Sequence, residues 1–169
     1  LVAPRSPRAA EVLAGIRFAS VVFTTLAFRA DDVPVPLDGS GFLIPDDGST
    51  SISAVSWASS KWERWAGDPV ILRVGMGRDG DDESIGLPDD EILGRIATDL
   101  RTTMGIEAAP VETRIVRYPR AFPQYDVGHL DRIDRLEAAL ADDAPDLVVC
   151  GMAHRGVGIP ACIGQARRA

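Results

Sequence analysis

The segment Leu147-Val-Val-Cys-Gly-Met-Ala-His-Arg-Gly-Val-Gly-Ile-Pro-Ala-Cys-Ile-Gly-Gln-Ala-Arg-Arg168 decides how the rest of this chain is read. The apolar run Leu147 to Cys150 has strand composition and ends at Gly151. Gly156 and Gly158 permit backbone approaches that a Cβ would obstruct. Pro160 suits the first turn of a helix, where its missing N–H costs little. Strand, glycine turn and proline-opened helix together can aim unpaired backbone N–H groups at an anion or a polarisable ring. On spacing alone, a ligand site and an ordinary turn between strand and helix both remain open.

Upstream of that segment, Leu130, Ile133, Leu136 and Leu140 line one side of a predicted helix, and Val111 to Tyr118 reads as a strand stopped by Pro119. Another helix begins near Pro88-Asp-Asp-Glu91, carries the stripe Ile92, Leu93, Ile96, Leu100 and Met104, and ends at Gly105. The acidic stretch Asp79 to Ser84 is a solvated loop. Further back, Pro69 to Gly75 is a strand, and Gly39 to Pro45 with Ser51 to Trp57 forms a hairpin. The strand Arg17 to Phe28 is so continuously apolar that its place is inside a sheet covered on both faces. Ser6-Pro7 opens a first helix. The order gives an α/β chain, α+β in isolation, with a boundary between about 119 and 128.

Of 169 residues, 46% are hydrophobic and 25% charged, a globular composition with room for a real core. The net charge of −7 disfavours a general nucleic-acid binder. Cys150 and Cys162 lack metal-ligand spacing and read as core thiols in a reducing, cytoplasmic setting. His129 and His154 sit in separate elements and make a poor zinc site, so no metal is expected. Neither a bilayer-spanning run nor a cleavable signal is visible. Lys61, Arg73, Arg78 and Arg117 are candidates to pair with an acidic substrate, each with a surface ion pair as the plainer reading. Trp57 and Trp62 read as structural. The chain opens on Leu1, and a piece of a longer protein is expected.

Several stretches together carry a family resemblance. Arg155-Gly-Val-Gly-Ile-Pro160 with Cys162-Ile163 resembles the carboxyl-terminal signature of the protoporphyrinogen and coproporphyrinogen oxidases of haem biosynthesis. Tyr118-Pro-Arg-Ala-Phe-Pro-Gln-Tyr-Asp-Val-Gly-His129 resembles a second landmark, and Leu37-Asp-Gly-Ser-Gly-Phe-Leu-Ile-Pro45, Ser59-Ser-Lys-Trp62 and Leu72-Arg-Val-Gly75 resemble others, in the family's order.

The resemblance implies a carboxyl-terminal fragment of an FAD-dependent oxidoreductase. Residues 1–118 would be part of a substrate-binding domain on a mixed sheet. Residues 119–169 would be the last helix–strand–helix of an FAD-binding domain. Gly151, Met152, Val157, Gly158, Ile159, Pro160 and Tyr118 would contact the cofactor. Tyr118 stands where relatives often carry tryptophan, and Ala161 where an acid is frequent. No catalytic residue is assigned. The amino-terminal glycine fingerprint that holds a dinucleotide is missing from this chain, so the implied partner is an amino-terminal portion, and the chain alone is expected to be inactive.

The implied substrate is a porphyrinogen. The Ala-, Arg-, Asp- and Gly-rich composition resembles that of actinobacteria, which favours coproporphyrinogen III over protoporphyrinogen IX, with oxygen as acceptor. Peripheral contact with the cytoplasmic membrane stays open for the intact enzyme. Uncovered sheet surfaces in the fragment invite a homo-oligomer. The rival readings are a fragment of a related flavin amine oxidase or desaturase, and a non-catalytic assembly protein that keeps half of the fold.

Overall fold

The computed structural model describes residues 1–81 and 83–169, so Asp82 of the expected acidic loop lies outside the described residues. Its helices are α1 (Pro7–Ala14), α2 (Ala58–Lys61), α3 (Asp89–Met104), α4 (His129–Asp143) and α5 (Ile159–Ala166). Its strands are β1 (Phe18–Phe28), β2 (Gly41–Leu43), β3 (Ile52–Trp57), β4 (Val70–Met76) and β5 (Glu112–Pro123). Two compact units result: Ala19–Ala121, and Leu1–Phe18 together with Phe122–Ala169. The first helix thus packs with the carboxyl-terminal segment, whereas the sequence reading kept residues 1–118 together.

In the larger unit the sheet order is β2-β3-β4-β1-β5. The pairs β1/β4, β2/β3 and β3/β4 are antiparallel. Of the mixed sheet expected for the whole domain, these pairs are an antiparallel part. Ile92, Ile96, Leu100 and Met104 recur every four residues along α3 and are buried among Val22, Leu26, Phe28, Leu72, Val74 and Met76. Full burial of such side chains contributes roughly 1.5–3 kcal/mol each. Asp89, Asp90 and Glu91 complement the amino-terminal dipole of α3. Gly105 ends the helix in the left-handed conformation, φ 66°, and its N–H donates to the Arg101 carbonyl. Buried Asp99 ties this helix to the sheet, accepting the N–H groups of Ser51 (2.8 Å) and Ile52 (3.0 Å).

Two expectations are corrected here. β1 is covered on one face only: Val22, Thr24, Leu26 and Phe28 are buried, while Phe23, Thr25 and Ala27 are half-buried. Its apolar second face reflects an aromatic surface rather than a second packed layer. Pro119 does not stop β5, which runs to Pro123. β5 is an edge strand, where a missing N–H need not break a ladder.

In the smaller unit, α1 lies against α4 around Ala9, Ile16, Ile133, Leu136 and Leu140. Ser6 caps α1, its Oγ accepting the Ala9 N–H at 3.2 Å and donating to Asp143 at 2.7 Å. Leu147 and Val149 pack against this cluster, while Val148 and Cys150 face outward. That alternation is strand-like, yet Leu147–Cys150 forms no ladder. A strand needs a neighbour for its N–H and C=O groups, and none pairs with it among the described residues. Cys150 is exposed and Cys162 half-buried; both are free thiols, not core thiols.

Candidate functional site

The glycine corner before α5 is assembled by side chains from the turn preceding α4, from α4 itself and from α5. Tyr125 Oη accepts the Gly156 N–H at 2.8 Å and donates to the Met152 carbonyl at 2.8 Å. The Tyr125 ring stacks on His129 with centroids 3.8 Å apart and 14° between planes. His129 Nε2 lies 2.7 Å from the His154 carbonyl. A carbonyl can only accept, so the proton sits on Nε2. From the other side, Gln165 Oε1 accepts the Gly151 N–H at 3.3 Å, and its amide nitrogen donates to the Gly156 carbonyl at 3.5 Å. Residues 151–156 are therefore braced from both flanking helices.

Electrostatics add a third brace. Arg155 donates Nη2 to Asp134 (2.5 Å) and to Glu137 (2.8 Å), with Nε 3.1 Å from the second Glu137 oxygen. The Arg155 guanidinium holds the Glu137 carboxyl below its ordinary range. Arg155 is thus fastened to α4. His154 is buried, and burial pushes its imidazole pKa down against the opposing pull of Glu137.

Beyond Gly156 the backbone opens outward. Gly156 has φ 130°, and a Cβ there would stand 2.8 Å from that of Ala161. Val157, Gly158, Ile159 and Pro160 are exposed, Val157 at 56% and Ile159 at 77%. No side chain caps the α5 amino-terminus, and its first turn carries no acid. An uncapped helix start free of acids, flanked by exposed apolar side chains, fits a large planar ligand with an electron-rich edge. Of the predicted residues, Gly151 and Met152 lie in the braced loop, Val157 and Gly158 follow it, and Ile159 and Pro160 open α5. Tyr118 lies in the other unit, edge-on to Phe23 with centroids 5.9 Å apart.

Sequence reasoning missed the role of Tyr125 in this corner. The signal was present: Tyr125 and His129 are spaced i, i+4, and they join the motif around Pro123-Gln-Tyr to the Gly-Val-Gly-Ile-Pro motif. Of the four cations proposed for an acidic substrate, three are hydrogen-bonded locally. Arg78 donates to the carbonyls of Ile44 and Ile52, both at 3.3 Å, and Arg117 to that of Leu87 at 2.6 Å while pairing with Asp89. Lys61 bonds Ser56 Oγ at 2.7 Å. Trp57 packs with the core and edge-on to Phe42, as a structural residue would. Among the described residues no three His, Cys, Asp or Glu side chains gather as a metal site, and no helix is long and apolar enough to cross a membrane.

The glycine corner and the antiparallel sheet fall in different units of the chain, and one family covers both. The flavin containing amine oxidoreductase family model matches residues 1–169, and the chain belongs to that family. Within it, the chain is 35% identical over 89% of its length to the coproporphyrinogen III oxidase of Bacillus subtilis, covering 32% of that protein. It is 40% identical over 77% of its length to that of Mycobacterium tuberculosis, covering 28%. A crystal structure named "Putative protoporphyrinogen oxidase" from Exiguobacterium sp. 255-15 superposes on 98% of the chain with TM-score 0.84 and 29% identity, over 36% of that protein. Reduced UDP-galactopyranose mutase shares the fold at TM-score 0.66 and 9% identity. The chain thus spans about a third of the length of the curated relatives it matches.

Proposed function

We propose that this chain is the carboxyl-terminal part of an FAD-dependent porphyrinogen oxidase that converts coproporphyrinogen III to coproporphyrin III with oxygen as acceptor. The observation that carries the reading is the 33–40% identity to bacterial coproporphyrinogen III oxidases, against 24% to human protoporphyrinogen oxidase. Bound FAD supplies a two-electron acceptor that oxygen regenerates.

This chain's residues position and shield that acceptor. Val157, Gly158, Ile159 and Pro160 form one wall, with Gly151 and Met152 behind them, and the N–H groups opening α5 face the flavin's electron-rich edge. Gly156 keeps the wall close to α5, and Tyr125, His129 and Gln165 hold its shape. The amino-terminal portion supplies the dinucleotide fingerprint and the remaining walls. The intact enzyme works in the cytoplasm, and its contact with the membrane surface is peripheral.

Titrating the chain with FAD, alone and then with the amino-terminal portion of a relative supplied, tests this. A shifted flavin absorbance only in the second case is expected. No shift in either would contradict it.

A further inference from the structure

In the larger unit the sheet face opposite α3 carries a second site. Strand alternation puts Phe23 and Thr25 of β1, Ile71 and Arg73 of β4, and Arg114, Val116 and Tyr118 of β5 on that face. Trp62 and Trp65, edge-on to each other at 5.2 Å, rise beside it from the turn after α2. Together they enclose a cavity of about 640 Å³, within the range of small-molecule sites, roughly 300–1,000 Å³.

Its chemistry is selective. No carboxylate lines the cavity, although the chain carries a net charge of −7. The Arg73 guanidinium lies 4.0 Å over the Phe23 ring, and neither Arg73 nor Arg114 has an ion-pair partner among the described residues. The neighbouring Arg78 and Arg117, by contrast, are spent on carbonyls and on Asp46 and Asp89. Aromatic walls with guanidinium groups that pair with no carboxylate suit a flat apolar ring system bearing carboxylates, since guanidinium pairs with carboxylate in a bidentate fork.

We infer that Arg73 and Arg114 read two carboxylates of the tetrapyrrole, whose rings lie against Phe23, Tyr118, Trp62 and Trp65. This rests on the proposed porphyrinogen oxidase reading and assigns the groups that recognise its substrate. Both arginines are positioning residues: they anchor the periphery of the macrocycle and take no part in hydrogen transfer.

The test is binding of coproporphyrin III, the stable oxidised macrocycle, to this chain, read by quenching of Trp62 and Trp65 fluorescence. Its methyl ester, which lacks the charges, is the control. The free acid should bind at least about tenfold tighter than the ester, a difference of about 1.4 kcal/mol. Arg73→Gln and Arg114→Gln should each weaken the acid and leave the ester unchanged. Raising the salt concentration should weaken only the acid, a readout that needs no variant to fold. In the reconstituted enzyme the same variants should raise KM with kcat nearly unchanged. Equal affinity for acid and ester, no binding of either, or variants indistinguishable from the parent would overturn the inference. A chain that shows the carboxylate dependence but never acquires FAD would refute the oxidase reading and leave the two arginines assigned.

Discussion

Gly156 is where backbone, packing and the proposed cofactor wall meet. Its φ of 130° and the 2.8 Å approach to Ala161 leave no room for a side chain. Gly156→Ala should destabilise the fold by about 1–3 kcal/mol, the cost of holding a non-glycine residue in so sparsely populated a conformation, measurable as a lower urea midpoint. Tyr125→Phe removes the hydroxyl that bridges Gly156 and Met152. Tyr125 is 41% exposed, so water replaces part of the loss, and about 0.5–1.5 kcal/mol is expected from the same unfolding measurement.

His154 sets a pH dependence. Burial holds its folded-state pKa below the ordinary 6.5, so on acidification the unfolded chain takes up the proton first. Its contribution is complete above the unfolded value and is lost as pH falls through the folded one. Urea midpoints should therefore decline as the pH falls through and below about 6.5, and decline less in His154→Phe. An unaltered slope in the variant would assign the pH dependence to other groups.

Among elements, α3 holds the larger unit together. Ile96→Ala, at a site 1% exposed, should cost about 2–5 kcal/mol by chemical denaturation; a cost under about 1 kcal/mol would mean that the helix is not the principal cover of the sheet. This helix was legible in the sequence because its four-residue stripe, acidic first turn and terminal glycine agree with one another. The hairpin and β4 were legible through their turn residues. Pro119 misled because a proline breaks a central strand and is tolerated on an edge, and edge status is a property of the sheet order. Leu147–Cys150 has strand composition and strand alternation, but a ladder also depends on a neighbour that composition cannot supply. The second face of β1 read as core because Phe23 is apolar whether it faces a packed layer or an open aromatic cavity.

On the scale of the molecule, the glycine turn and the proline-opened helix were legible in the sequence, whereas the braces were not. Tyr125, His129 and Gln165 act through contacts that join residues far apart in sequence, and only the fold brings them together. The same holds for the arginines: Arg73 was among the candidates, while Arg114 emerged only when β5 took its place beside β1. The chain matches its relatives along nearly its whole length yet spans about a third of theirs. On the proposed reading, the uncapped helix start and the extended segment left unpaired among the described residues belong to a cofactor cradle that the amino-terminal portion completes.

The most direct test of that cradle is hydrogen exchange at the backbone amides of residues 156–163, in the chain completed with an amino-terminal portion, with and without FAD. The account predicts that FAD slows exchange at Val157, Gly158, Ile159 and Ala161. FAD bound in the complex with exchange at these amides unchanged would contradict it.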